Sequence, residues 1–460
     1  MLSLNGILTT ADSALAAQRA AIATTGNNIA NAQTAGYSRQ IVQLGPNVPE
    51  STPQGIFGTG VRVDSVRRAR SELLDSQVRA QVAPHAQFQA RSDLLGSIEN
   101  VFGEPSSTGL ASSLDAFYNA WSSLAADPVN PTAKTLVQQS GQNVAGTFNR
   151  LAGQISGIGA STRAAISDSI SKVNTLTSQI ADVNAQLVPA ESGGHTANDL
   201  RDQRDRLIDQ LSALVPVNVI DYANGGDQIM IGGLPIVDGL VPKGLSIGGG
   251  VPLTVNIIGN ADPLRSLGGS LGAMVAVLNN DLANAQSSLD ALASSLITDI
   301  NYVHAAGWSP PSGTSPSGIA FFDATPSNAT AKNIQLSVQV TAKASVIATG
   351  AMFNTAGDNS VASAIAALRD FSPTAPGGSM GTGYQTLVSS VATAKSAATD
   401  SSTVYQTLSQ QATQARQATS GVSTDEELVS LMGYQQAYSA AAKVVQTVSQ
   451  MMQTLIDMKQ

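Results

Sequence analysis

A seven-residue apolar repeat at each end constrains this chain more than anything else in it. Near the N-terminus Leu8, Leu15, Ile22 and Ile29 recur every seven residues, with Leu4, Ala11, Gln18 and Thr25 on the interleaved positions. Near the C-terminus Leu431, Tyr438, Val445 and Met452 form one row, and Tyr434, Ala441, Val448 and Leu455 form the other. This period gathers apolar residues on one stripe of a long helix, and the stripe needs a partner. The spacing therefore predicts two terminal helices that pair as a coiled coil. Two lone helices bury too little apolar area to offset the backbone entropy of ordering them. The ends are expected to be frayed in an isolated chain and to order when neighbouring copies cover their remaining faces.

Between the ends the periodicity changes several times. Residues from about 72 to 188 are mostly helical in period, through Leu110, Leu114, Phe117, Trp121 and Leu124 and again through Ile166, Ile170, Val173, Leu176 and Ile180. A further helix is expected from Asn198 to Leu214, started by Thr196 or Asn198 and stopped by Pro216. Period-two runs at Val217 and Val219, Gln228–Ile231 and Leu253–Ile257, dense in Gly and Pro around them, predict short strands. A helix resumes from Ser266 to Ala305, and Ile319–Phe322 and Ile334–Val340 are read as strands. The expected fold is mainly α with an inserted β-rich domain, an α+β multidomain chain. Residues 1–45 and 420–460 form a terminal coiled coil, residues 46–215, 265–305 and 379–419 a helical-bundle body, and residues 216–264 and 306–378 a small β insertion placed outermost.

Composition narrows the function classes. Charged residues make up only 12% of the 460 residues and aromatics 4%, while the formal net charge is −8. Helices rich in Ala, Ser, Thr, Gln and Asn approach one another at little desolvation cost, which suits a subunit packed among copies. The one compact basic cluster, Arg62, Arg67, Arg68 and Arg70, is too small for a phosphate-binding face, so no nucleic-acid partner is expected. The chain has no cysteine, which rules out disulfides and thiolate metal sites. Met1–Ala30 lacks the basic start and continuous apolar run of a cleaved signal peptide. No apolar run is long enough for a membrane span, so membrane insertion is not expected.

No constellation carries catalysis, and no cofactor or metal is implied. His85, His195 and His304 lie far apart in sequence, without carboxylates at metal-ligand spacing. His85 is read as lying near a helix start, His195 in a Gly-rich turn, and His304 at a helix end that favours its charge. Ser169 and Lys172 match an S-x-x-K pattern, but the companion motifs of penicillin-binding enzymes are missing. Gly232–Gly233 and Gly248–Gly250 lack the helix of a phosphate cradle and read as turns. Asp199, Asp202, Asp205 and Asp209 with Arg201, Arg204 and Arg206 are read as a solvated or intersubunit helix face of local ion pairs. Asp425, Glu426 and Glu427 follow Ser423 and Thr424 as a capped, dipole-complementing first helical turn.

The most specific local motif runs from Thr25 to Arg39. Asn27, Asn28 and Asn31 place amides beside the seam residue Ile29, where they can bond backbone or a neighbour and fix register. Gly36 lets the helix end. Tyr37 and Arg39 then begin an extended segment through Ile41, Val42 and Leu44. This motif resembles the N-terminal signature of the bacterial flagellar axial family of rod, hook and hook-associated proteins, and Gly36-Tyr37-Ser38-Arg39-Gln40 is closer to the hook-associated branch. Asn198–Ile208, Val215–Val219 and Ser420–Glu427, the last continuing through Tyr434–Tyr438 and Ala442–Thr447, are similar to motifs of the same branch.

The resemblance implies a structural subunit joining hook to filament. It would be exported unfolded through the flagellar type III apparatus to an extracellular position and assembled with copies of itself in a helical ring. Hook protein would lie on one side and hook-associated protein 3 on the other. A cytoplasmic export chaperone would hold Asp425–Gln460, through Leu431, Tyr434, Tyr438, Val445, Val448, Met452 and Leu455. Those residues, with Leu8, Leu15, Ile22, Asn27, Asn28, Ile29, Asn31, Gly36, Tyr37 and Arg39, form the expected assembly interface. The chain is shorter than some members of the family, which implies a reduced or missing outer domain. Another axial protein of rod or hook, or a secreted coiled-coil adhesin, is the alternative.

Overall fold

The computed structural model describes residues 4–52, 55–103, 106–194, 196–222, 226–260, 262–309, 318–325, 327, 329–353 and 355–458. Helix α1 (Leu4–Asn31) leads into strands β1 (Gln40–Pro46), β2 (Glu50–Thr52), β3 (Gly55–Phe57) and β4 (Val61–Arg68). These are two nested antiparallel hairpins, β2 on β3 within β1 on β4. Helices α2 (Glu72–Phe102), α3 (Leu110–Ala126), α4 (Pro131–Glu191) and α5 (Asn198–Leu214) follow. Strands β5 (Asn218–Ile220), β6 (Gln228–Ile231), β7 (Leu234–Asp238) and β8 (Val241–Pro242) form an antiparallel meander, and β9 (Leu245–Gly248) pairs with β10 (Thr254–Ile257). The chain then returns to helix in α6 (Gly269–Ala276), a π-turn at Val277–Asp281, and α7 (Leu282–Ala305). It ends through α8 (Val338–Ala342), α9 (Ser360–Ala367), α10 (Met380–Ser420) and α11 (Thr424–Asp457).

The 61-residue α4 is the spine. Asn130 caps it by accepting from the Thr132 and Ala133 amides, with Pro131 at the first helical position, where its missing N–H costs nothing. Its buried positions recur every three or four residues, from Val137 through Phe148 and Ile155 to Ile180 and Leu187. Trp121 and Phe117 of α3 meet Phe321 and Phe322 in tilted and edge-on contacts with ring centroids 5.0 to 6.2 Å apart. Helices α2 and α10 run antiparallel. Asp75 lies beside Arg416, Phe88 stacks on Tyr405, and Lys395 meets Glu99 at 2.5 Å.

Asparagines staple the non-helical segments to this bundle. Asn174 both donates to the Leu245 carbonyl and accepts from its amide, at 2.9 and 2.6 Å. Asn279 does the same to Leu253, and Asn301 to Phe322. Each amide thus reproduces the two bonds of a strand neighbour and satisfies backbone that would otherwise be buried unpaired. With Ile229, Ile231, Val237, Val255 and Ile257 turned inward, the strands join the same apolar core as the helices.

Several expectations are corrected. Within residues 46–68, assigned to the helical body, Glu50–Thr52, Gly55–Phe57 and Val61–Arg68 are strands, and β-branched Val61, Val63 and Val66 of β4 share one face of the pleat across a bulge. Ile334–Val340 is not a strand: Leu336 makes a single bridge to Phe322, and Ser337 accepts from the Val340 amide to cap α8. Among the described residues, 306–378 contain isolated bridges but no strand of a sheet. Thr196 and Asn198 do not cap α5; both donate to the Val66 carbonyl and pin the hairpin instead. His85 sits well inside α2, next to an embedded Pro84. His195 lies outside the described residues.

His304 is also not a charged helix end. It is buried against Trp121 and Phe321, donates from Nδ1 to the Ile319 carbonyl and accepts at Nε2 from the Ala348 amide. Burial pushes its pKa down to about 4, so the ring is neutral. Ser169 is buried in α4 while Lys172 is exposed, which separates the two members of the S-x-x-K pattern. Among the described residues no group of three or more His, Asp or Glu side chains is placed to hold a metal ion, and no helix is long and apolar enough to cross a membrane.

Candidate functional site

The terminal helices α1 and α11 pair antiparallel. Asn28 meets Glu427 at one end of the pair, and Arg19 meets Tyr438 further along, its guanidinium 5.7 Å from the ring centre and donating to the phenol oxygen at 3.2 Å. Helix α1 is covered by α11 and, on the side of Ser13 and Asn28, by the β1–β4 ribbon. Ala11, Ala17, Ala21, Thr25 and Asn28 are the buried residues of α1, whereas Leu8, Leu15, Ile22 and Ile29 are half-buried along its flank. On α11, Val448 is buried, Leu431, Tyr434, Tyr438, Val445 and Met452 are half-buried, and Leu455 is 53% exposed near the free end.

Where this pair joins the body, the Asn-rich motif closes on itself. Gly36 takes φ +77°, and a Cβ there would press on the stem of Arg206 at 2.3 Å. That turn brings Tyr37 back to Asn28. The Asn28 amide accepts from the Tyr37 hydroxyl and the Gln40 amide and donates to the Gln40 carbonyl and Glu427, all at 2.9 to 3.0 Å. Glu427 also accepts from Arg39 Nε at 2.7 Å, and the Arg39 amide donates to the Ser420 carbonyl at 2.9 Å. One buried carboxylate at the start of α11 thus holds both ends of the N-terminal motif. Burial, with Asp199, Asp202 and Glu427 nearby, pushes the Tyr37 phenol up to about 12, so it stays a donor. Asn27 and Asn31 bond each other on the exposed side, at 2.7 Å, and take no part in this lock.

Beneath the lock lies a knot of ion pairs. Asp202, Asp205 and Asp209 stand three and four residues apart on one face of α5, but their partners come from elsewhere in the chain. Arg68 bonds Asp202 and Asp205 at 2.8 and 2.7 Å, and Arg70 grips Asp75 with two bonds at 2.6 and 3.0 Å. Arg79 and Arg416 share Asp209 at 2.8 and 2.7 Å. Asp202 accepts from both the amide and hydroxyl of Ser38. Burial alone would raise Asp205, but Arg70, Arg68 and Arg79 hold its pKa below the usual carboxylate range. The expected solvated face is therefore corrected: Asp202, Arg204 and Asp205 are buried. Arg204 pairs with Asp227, and Arg201 with Glu191.

This knot ties the hairpin, α2, α5 and α10 to the base of the terminal pair. Its contacts are charge pairs and hydrogen bonds in fixed geometry. Buried pairs add little net stability, but each fixes one geometry, since an unpaired partner is costly. Sequence reasoning found Asn28, Tyr37 and Arg39 but missed Ser38, Asp75, Arg79, Arg416 and the second role of Glu427. A compact basic cluster in an acidic chain and an Asp-rich helix were the two halves of that signal.

Residues 95–322 match the family described as "Flagellar hook-associated protein FlgK helical domain". Residues 413–458 match "Flagellar basal body rod FlgEFG protein C-terminal", and residues 8–37 match "Flagella basal body rod protein". The chain is 37% identical over 229 residues to flagellar hook-associated protein 1 of Bacillus subtilis (strain 168), covering 48% of this chain and 45% of that protein. It is 27% identical over 322 residues to flagellar hook-associated protein 1 of Salmonella typhimurium, covering 66% and 57%. The matched stretches thus span about half the length of these curated relatives. The flagellar hook junction protein FlgK from Burkholderia pseudomallei has a similar fold, with a TM-score of 0.65 at 18% identity over 75% of this chain and all of that one.

Proposed function

The chain belongs to the flagellar hook-associated protein 1 (FlgK) family, and from that premise we propose that it is the structural subunit joining the flagellar hook to the filament. The observation that carries this reading is the order of matches: rod-type terminal segments enclose a hook-associated helical body. A rod or hook subunit shares the ends but not the body. The subunit works without catalysis or cofactor, through the terminal pair at 1–45 and 420–460 and the body and insertion between them. Its partners are copies of itself in a helical ring, hook protein on one side and hook-associated protein 3 on the other.

Export unfolded through the flagellar type III apparatus, to a position outside the cell, fits a terminal pair that fully buries few large apolar side chains. The chaperone reading adds a constraint. Leu431, Tyr434, Tyr438, Val445, Val448 and Met452 face α1 in the folded chain, so a chaperone that holds them competes with α1. Release of the chaperone and pairing of the ends are then one event. Assembly residues Leu8, Leu15, Ile22 and Ile29 keep a half-open flank for neighbouring copies. Deleting the gene tests the whole reading: cells should build hooks and shed flagellin as monomer, whereas normal filaments on the deletion strain would reject it.

A further inference from the structure

The joint between the terminal pair and the body holds a cavity of about 630 Å³. Its walls come from the turn after α1 at 32–39, from α5, from the end of α10 and from the start of α11. Four arginines line it, Arg39, Arg70, Arg206 and Arg416, against two acids, Asp209 and Glu426. In a chain whose formal net charge is −8, the walls of this cavity carry two more positive charges than negative ones.

Arg206 is the source of that surplus. On α5 it stands four residues after Asp202 and three before Asp209, the spacing at which a helix pairs opposite charges. Both acids are already taken: Asp202 accepts from the amide and hydroxyl of Ser38 and from Arg68, and Asp209 accepts from Arg79 and Arg416. Among the described residues Arg206 is left with no ion pair and no hydrogen bond. It is half-buried, and its stem is fixed, because Cγ and Cδ run past Gly36 where a Cβ would meet them at 2.3 and 2.4 Å. Two other arginines add unused donors. Arg416 bonds Asp209 and Asp75 through Nη1 alone, which leaves Nε and Nη2. Arg39 bonds Glu427 through Nε, while its Nη1 lies 3.6 Å from Glu426, beyond a hydrogen bond, on a carboxylate whose side chain is 69% exposed.

We propose that this cavity binds a doubly charged oxyanion of the sulfate or phosphate class, held by Arg206 with the spare donors of Arg416 and Arg39. The surplus of two charges sets the charge of the ligand. The planar fork of a guanidinium, which matches the oxygen spacing of such an ion, sets its shape. Asp209 does not oppose the ion, being neutralised by Arg79 and Arg416, and Glu426 stands mostly in solvent. A bound ion ties α5 and α10 of the body to the turn that carries α1, and so stiffens the angle at which the terminal pair leaves the body. The site lies within one chain and does not depend on what that chain assembles with.

The test titrates the purified full chain with sulfate at neutral pH by calorimetry, with sodium chloride holding the ionic strength constant. One site should fill, and Arg206→Gln should weaken it at least tenfold. Arg150→Gln removes the same charge from an arginine that is hydrogen-bonded only to Gln154, and should bind like the parent. Arg206→Lys keeps the charge and a stem beside Gly36 but not the fork, and should recover part of the lost affinity. Sulfate should also slow hydrogen exchange of the amides at 35–39 and 419–423 at least threefold in the parent and in Arg150→Gln, and not in Arg206→Gln. Absence of saturable binding, equal affinity in the parent and Arg206→Gln, or an equal loss in Arg150→Gln would overturn the site. So would Arg206→Lys binding no better than Arg206→Gln, since the loss would then be one of structure. Binding without slower exchange at the joint would contradict the bracing role.

Discussion

The helical body and the terminal pair are both built from long helices of similar composition, yet they end in opposite states. The body closes its own core. Trp121, Phe117, Phe148, Phe321 and Phe322 have no exposed surface, and the strands are stapled onto α4 by asparagine. The terminal pair buries mainly alanines on α1 and, on α11, only Val448 among its apolar residues, leaving Val429, Met432, Met451 and Ile456 more than half exposed. What separates the two is the number of layers. A helix in the body is covered on several sides, whereas α1 and α11 have each other and, for α1, the ribbon. The charge knot stands at the boundary and fixes how the open part is carried by the closed one.

The largest effect that sharpens this contrast is expected in the body. Trp121→Ala removes a fully buried side chain from a ring cluster and should cost about 3–5 kcal/mol in denaturant unfolding of the purified chain. A change below 1 kcal/mol would mean that the cluster is not the core of the folding unit. Next comes acid. An unfolded His binds its proton near pH 6.5, while His304 in the folded body does so only near 4. Between those values the unfolded state holds one more proton, so stability falls as pH drops through that window, by up to about 3 kcal/mol. His304→Gln should flatten this dependence in thermal melts at pH 7 and 4.5; an unchanged slope would assign it elsewhere.

At the boundary the effect is smaller. Glu427→Ala leaves Arg39 and one Asn28 donor without their acid and should cost about 2 kcal/mol, less than a fully buried pair because Arg39 is partly solvated. Arg39→Ala in the same chain should add little. Additive losses in that double-mutant cycle would show that the two do not act as a lock. Smallest of all for the isolated chain is Leu455→Ala, expected to lie within about 0.5 kcal/mol in stability. The same substitution should lower incorporation into the flagellum, so full incorporation would remove Leu455 from the assembly surface.

Much of this contrast was legible in the sequence, for a physical reason. Helical period over Leu110–Leu124 and Ile166–Leu187 marks burial directly, and so the long helices and the pairing of the terminal helices followed from spacing, whereas the antiparallel sense of that pair is seen only in the fold. The same spacing did not show that Ala11, Ala17 and Ala21 would be buried while Leu8, Leu15, Ile22 and Ile29 are half-buried, because a heptad count follows bulk and takes no account of the ribbon lying on the Ser13 and Asn28 side of α1. The strand expected at Ile334–Val340 failed because β-branched residues report burial as readily as pleat, and Ser337 supplied a cap. The site was half legible. Asn28, Tyr37 and Arg39 cluster within one motif, but Glu427, which accepts from Asn28 and Arg39, lies 399 residues from Asn28. Arg68, Arg70 and the α5 aspartates were visible as separate charge clusters, and only the fold joins them.

Hydrogen exchange on the purified chain and on assembled flagella tests most directly the claim that the terminal pair is completed by its neighbours. In the free chain, amides of Leu4–Asn31 and Thr424–Asp457 should exchange at least a hundredfold faster than those in the centre of α4, and in assembled flagella the two sets should be protected alike. Terminal helices as protected as α4 in the free chain would contradict the account, since the pair would then be complete without its neighbours.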